Sequence, residues 1–227
     1  MARRDVPGDL TPMSAPFISF YVPHFRLANG LVARPVGLTR CVESVAAQRT
    51  PRPDFVQCEQ VEDALPGGAG VGGMFAQIPA NAARMRGDYV MLLADDDELA
   101  ATDVVERLFV LVAHAGWPDV VIVGTEKGHH GRLPYDAQGP PVAGRIDLNC
   151  VVTRRDVWLQ HVHDYGDRYE GDFHMVSAMW AAGRQFHWTA ESIALVVSRG
   201  AVSGGRPELA PVTPSPTSTW PTAGGAR

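Results

Sequence analysis

Apolar residues along this chain recur in two rhythms, and the alternation between them predicts most of its elements. Phe17 to Val22 is a run of strand-forming residues stopped by Pro23. From Gly37 the spacing turns helical, with Leu38, Cys41, Val42, Val45 and Ala46 on one side, Thr39 as a capping residue, and Pro51 and Pro53 closing the segment. Phe55 to Cys58 reads as a short second strand. Residues 66–73, Pro-Gly-Gly-Ala-Gly-Val-Gly-Gly, read as a flexible loop, and residues 75–86 as a helix interrupted early by Pro79. Tyr89 to Ala94 is an unbroken apolar run of strand length, the pattern of a strand buried on both faces.

A well-marked helix follows. Thr102 or Asp103 is its expected cap, Val104, Val105, Leu108, Leu111 and Val112 form its apolar face, and Gly116 with Pro118 ends it. Asp119 to Val123 predicts another buried strand, and residues 124–144 a long loop carrying His129 and His130. Beyond it the pattern gives a strand from Asp147 to Val152, a helix from Arg154 to His163, a turn over 165–172, a helix from Phe173 to Ala182 stopped by Gly183, and a last strand from Ile193 to Val197. Strand, helix, strand in that order is a βαβ unit. Two in succession predict an α/β fold with a mostly parallel central sheet flanked by helices.

Around this core, residues 1–15 read as a loose leader, 16–200 as a single domain, and 203–227 as a tail in which Pro, Ser, Thr and Gly dominate. No internal repeat is evident. The net charge of -5 argues against a general nucleic-acid binder, so no stable nucleic-acid complex is expected. Cys41, Cys58 and Cys150 are far apart and odd in number, which indicates neither a zinc site nor a disulfide framework and fits a reducing, cytoplasmic setting. Arg3 and Arg4 are not followed by an apolar stretch, and no run approaches membrane-spanning length.

The candidate chemistry concentrates where the most apolar strand ends. Asp95, Asp96, Asp97 and Glu98 follow it directly. Four acids at the mouth of a core strand repel one another, and ligands collect at the carboxyl ends of strands in open α/β sheets. A divalent cation such as Mg²⁺ or Mn²⁺ suits such hard oxygen ligands. The alternative is a solvated acidic turn before a helix, where acids also favour the N-terminus. Alternation along an extended chain lets Asp95 and Asp97 share one side. The glycine-rich stretch matches neither the Walker pattern nor a dinucleotide fingerprint. His161, His163 and His174 lack a ligand constellation, and Trp158 and Trp180 fall at core spacing.

Taken in order, these pieces resemble a family-2-like glycosyltransferase of the GT-A fold, which is related to the Rossmann fold. The likeness runs from Phe17 to Val197. Phe17–Val22 with Pro23 resembles the family's opening strand. Cys41-Val-Glu-Ser-Val-Ala-Ala-Gln48 is similar to its first helix, which commonly reads Ser-Val-x-x-Gln. Gly87-Asp-Tyr-Val-Met-Leu-Leu-Ala-Asp-Asp-Asp97 resembles the Gly-Asp-Tyr strand and DxD-type metal motif, and Glu170-Gly-Asp172 the motif that supplies the catalytic base.

The resemblance implies a metal-dependent enzyme moving a sugar from a nucleotide-sugar donor to an acceptor hydroxyl with inversion, the acceptor being unidentified. It implies Asp97 and Asp95 as ligands of Mn²⁺ or Mg²⁺, His187 as a third ligand, and Pro23, Glu59, Arg84, Asp95 and Asp96 as donor-binding residues. Asp172 is implied as the base, with Glu170 as the second choice. Two departures stand out: Cys58 to Asp63 replaces the usual Asp-rich turn after the second strand, and the glycine-rich stretch replaces the third-strand segment. A nucleotidyltransferase is a competing reading, for which Val22-Pro-His-Phe-Arg26 lacks the glycine-rich basic fingerprint. A non-catalytic nucleotide- or glycan-binding protein on the same scaffold is another.

Overall fold

The computed structural model describes residues 16–24, 26, 29, 31–62, 70–126, 132–134, 139–166 and 170–195. The expected leader, most of the expected tail's approach, the tail itself, residues 66–69 and both His129 and His130 lie outside them. In chain order the elements are β1 (Ile18–His24), α1 (Pro35–Ala46), β2 (Val56–Glu62), α2 (Gly70–Asn81), β3 (Tyr89–Leu92), α3 (Val104–His114), β4 (Val120–Glu126), β5 (Arg132–Leu133), β6 (Val151–Arg154), α4 (Arg155–His161), α5 (Gly171–Ala181) and β7 (Phe186–Leu195).

One seven-stranded sheet runs β2-β1-β3-β6-β4-β5, and β7 pairs with β4. β1 is parallel to β2 and β3, β6 is antiparallel to both β3 and β4, and β7 is parallel to β4. Hence β1, β2, β3, β4 and β7 all point the same way, with β6 inserted against the grain. The mostly parallel α/β sheet expected from the sequence is the one observed. β3 is fully buried, as its apolar run predicts, and pairs Tyr89 with Ile18 and with Arg154 on its two sides.

Each face of the sheet carries its own core. On one, Phe17, Phe20, Val22, Cys41, Val45, Leu93, Val104, Leu108 and Val123 pack under α1 and α3. On the other, Tyr21, Ile78, Met85, Ile122, Trp158, Met175 and Met179 pack under α2, α4 and α5. Trp158 is buried here, as its spacing predicts. Two polar contacts set the entrance to β3. The buried Ser19 hydroxyl donates to Gln57 Oε1 at 2.6 Å and accepts the Gly87 N–H at 2.7 Å. A Cβ on Gly87 would stand 2.5 Å from the Ser19 nitrogen, so only glycine lets the chain pass this close to β1.

Several expected boundaries move. β1 continues through Pro23 to His24, because β3 stops pairing at Tyr21–Leu92 and Pro23 then has a neighbour strand on one side only, where proline is tolerated. α1 begins at Pro35, so Thr39 is inside it and donates back to the Pro35 carbonyl instead of capping. α2 starts at Gly70, and glycines 70, 72 and 73 are helical against their own preference, in place of the expected loop. The predicted strand at 147–152 opens as a short 3-10 turn, Leu148–Cys150, before β6. β7 starts at Phe186, well before the expected Ile193, which puts His187 in a strand.

α3 has no side-chain cap from Thr102 or Asp103. Its cap comes from α1. Gln48 Oε1 accepts the Val105 N–H at 3.1 Å while Gln48 Nε2 donates to the Ala101 carbonyl at 2.7 Å, and Ser44 Oγ accepts the Leu99 N–H at 3.0 Å. The Ser-x-x-x-Gln spacing thus brings Ser44, in the last turn of α1, and Gln48, just past its end, onto the segment that follows the acids.

Candidate functional site

Because β1, β2, β3, β4 and β7 share a direction, their carboxyl ends form one rim. The acidic run follows β3 at that rim. Asp95 and Asp97 are buried, at 1% and 4% exposure, whereas Asp96 is half-exposed. Two of the acids are therefore inside the protein, and the solvated-turn reading does not describe them. Alternation does place Asp95 and Asp97 inward and Asp96 outward.

Three segments hold this turn. Arg34, the residue before α1, sends Nη1 to 2.8 Å from Asp95 Oδ1 and 3.0 Å from Asp96 Oδ1. Gly37, in the first turn of α1, lets that helix N-terminus lie on the acids: a Cβ there would stand 2.9 Å from the Asp95 carbonyl oxygen and 3.1 Å from the Asp96 Cα. Asn149, from the turn before β6, donates Nδ2 to Asp97 Oδ2 at 2.7 Å and accepts the Ala94 N–H through Oδ1 at 3.0 Å. The charge that four adjacent acids demand is thus met in part by an arginine, a helix N-terminus and an amide. Burial still pushes the Asp95 carboxyl above the usual range, with the Arg34 guanidinium pulling it back.

For a hard cation the donor set is suitable. Asp95 Oδ2 is buried and accepts no hydrogen bond among the described residues. No three His, Cys, Asp or Glu side chains among the described residues converge as a ready-made metal site. A Mg²⁺ or Mn²⁺ ion held by one or two carboxylates, with its other ligands from substrate phosphate and water, matches that pattern.

The second acidic pair stands at the start of α5. The chain leaves α5 at Ala181, turns, and enters the amino end of β7 at Phe186, where Trp180 and Phe186 stack edge-on with centroids 5.1 Å apart. Glu170 and Asp172 stand at the opposite, amino-terminal end of α5. Glu170 occupies the position before the helix without a side-chain capping bond and is exposed. Asp172 lies in the first turn, half-buried, with Oδ1 accepting the Phe173 N–H at 2.7 Å.

Other expected site residues go elsewhere. His187 is the second residue of β7, opposite Val121, at the amino end of the sheet. It lines a groove with Asp103, Arg107, Leu111 and His114 of the α3 region, and the structure does not bring it to the acids. Glu59, midway along β2, forms an ion pair with Arg84 on the α2 flank. Pro23 is buried next to the end of β1. Sequence reasoning passed over Arg34 as a ligand of the acids, and Asn149 altogether. A buried asparagine between apolar strand residues is the one signal that marked it.

No protein-family model matches the chain, and no curated protein matches it in sequence. Solved structures do match in shape. The crystal structure of S. aureus TarS 1-349 aligns with a TM-score of 0.51 at 12% identity, covering 79% of this chain and 60% of that one. That of S. aureus TarS aligns at 0.51 and 13%, covering 79% and 36%. A structure of TarS 1-349 in complex with UDP aligns at 0.46 and 14%, covering 70% and 53%. The chain thus spans less than two thirds of the length of these neighbours, and it shares a GT-A-like glycosyltransferase fold with the two that align at 0.51.

Proposed function

We propose that this chain is a metal-dependent glycosyltransferase, moving a sugar from a nucleotide-sugar to an acceptor hydroxyl with inversion. The observation that carries the reading is the pair of buried carboxylates, Asp95 and Asp97, at the carboxyl end of β3. Asp97 and Asp95 would hold Mg²⁺ or Mn²⁺, which supplies Lewis-acid neutralisation of the donor's diphosphate when bound. Asn149 fixes the Asp97 carboxylate, and Arg34 with the α1 N-terminus keeps Asp95 and Asp96 from splaying apart. Pro23 and Asp96 are the donor-side neighbours at the same rim.

Asp172 takes the acceptor proton in this reading. The acceptor oxygen forms its bond to the anomeric carbon as the bond from that carbon to the diphosphate oxygen breaks, and the bonding pair leaves with the nucleoside diphosphate. Attack from the face opposite the leaving group inverts the centre. Glu170, two residues away at the same helix end, is the second candidate for the proton.

The test is calorimetric titration of UDP and UDP-GlcNAc with and without Mn²⁺, together with a transfer or donor-hydrolysis assay. Asp97→Asn should abolish the Mn²⁺-dependent part of nucleotide affinity. Asp172→Asn should keep donor affinity and lower the rate by roughly 10²–10⁴, the usual worth of a general base. Unchanged Mn²⁺-dependent affinity in Asp97→Asn would remove the metal site, and normal turnover in both Asp172→Asn and Glu170→Gln would remove the inverting mechanism.

A further inference from the structure

Several arginines among the described residues are ion-paired where they stand. Arg26 is ion-paired to Glu62, Arg34 to Asp95 and Asp96, Arg84 to Glu59, and Arg154 to Asp119 and Asp156. Arg132 differs. It is half-buried at the start of β5, pairs in register with Glu126, and makes no ion pair or hydrogen bond among the described residues, whereas Glu126 has an interaction of its own.

Its side chain is nonetheless placed. The guanidinium lies flat over Gly124 near the carboxyl end of β4, so close that a Cβ on Gly124 would collide with Nη2, Nε and Cζ together. β4 pairs Val120, Val121 and Ile122 with Thr153, Val152 and Val151 of β6, and β6 leads out of the short turn that holds Asn149, the residue bonded to Asp97. A 3.0 Å contact between Thr125 Oγ1 and Cys150 Sγ shows that the two chains stay together there. A preplaced guanidinium with no ion pair among the described residues thus stands near the carboxyl end of β4, the strand beside the one that Asn149 leads into.

We infer that Arg132 is a diphosphate-binding residue, with Gly124 as the notch that seats it. The planar guanidinium recognises phosphate oxygens in a forked geometry, and a cation with no ion pair among the described residues keeps its charge for a ligand. The role rests on the nucleotide-sugar reading for its physiological ligand. The site itself is defined by charge and shape and can be probed with inorganic pyrophosphate alone.

The experiment titrates the full chain with pyrophosphate and with UDP, in EDTA and in Mn²⁺. Arg132→Gln should weaken pyrophosphate binding by about tenfold to a hundredfold, the worth of a charge-assisted phosphate contact. Arg132→Lys should fall between it and the parent. Gly124→Ala, which keeps the charge and removes its seat, should weaken binding at an unchanged melting temperature. Arg86→Gln, an exposed arginine ahead of β3, should change nothing. If UDP and pyrophosphate bind Arg132→Gln as tightly as the parent chain, the assignment of Arg132 is wrong and the nucleotide-sugar reading stands. Normal affinity in Gly124→Ala would likewise overturn the seat. If the parent chain binds neither pyrophosphate nor UDP in either condition, both readings fall together.

Discussion

The Asn149 carboxamide is locked between Asp97, to which it donates at 2.7 Å, and the Ala94 backbone N–H, which it accepts at 3.0 Å. One buried amide therefore fixes both the end of β3 and the orientation of the Asp97 carboxylate. Asn149→Ala strips a donor from a buried carboxylate and an acceptor from a buried N–H, each worth about 1–3 kcal/mol when left unmade. Chemical denaturation should register a loss in that range, and calorimetry a weaker Mn²⁺-dependent nucleotide affinity. Asn149→Asp should be worse on both counts, because it sets a like charge against Asp97.

Gly37 is where α1 touches the acids. Ala at this position meets backbone atoms of Asp95 and Asp96 and not a flexible side chain, so the helix or the turn must shift. Helix propensity alone favours Ala over Gly by about 1 kcal/mol. A stabilised Gly37→Ala protein would show that the close approach is not maintained, whereas lower stability with weaker Mn²⁺-dependent nucleotide binding is the expected result.

The α1 to α3 contact predicts a local effect. Gln48→Ala removes the acceptor at the Val105 N–H, and the loss of a helix cap costs about 1 kcal/mol. Amide hydrogen exchange at Val105 should accelerate more than at Val90 in buried β3. Uniform acceleration throughout the chain would mean that Gln48 stabilises the fold as a whole and not the start of α3.

His24 carries the pH dependence. It is buried at the end of β1 with Nδ1 making no hydrogen bond, and burial lowers its pKa, Glu62 opposing and Arg26 reinforcing that shift. The folded state thus prefers the neutral ring. As pH falls through the unfolded-state value of about 6.5, the unfolded chain takes up the proton first, so stability declines below that pH until the folded pKa is reached. His24→Gln should flatten this part of the melting-temperature profile. An identical slope in the variant would assign the dependence to other groups.

How far these features can be read from sequence follows from how local their causes are. β3 and α3 declare themselves through unbroken apolar runs and helical spacing, and the acids are adjacent in the chain. The inward turn of Asp95 and Asp97 also follows from local alternation. Arg34 and Asn149 do not, because each meets the acids across more than fifty residues. The same holds for α3, whose cap comes from Gln48 and not from its own Thr102 or Asp103. His187 went astray through a boundary: once β7 begins at Phe186, strand direction alone carries that ring to the far edge of the sheet.

The position of β6 has an implication for synthesis. It lies between β3 and β4 although it follows both in sequence, with Val90 and Val120 sharing Thr153 as neighbour. A nascent chain released only through Glu126 has all of β3 and β4 but nothing to join them, and each presents an apolar unpaired edge. The same segment delivers Asn149 to Asp97. Closure of the sheet and completion of the acidic turn therefore both await the same segment, and an arrested or clipped product ending before residue 149 carries the aspartates without the amide that orients them.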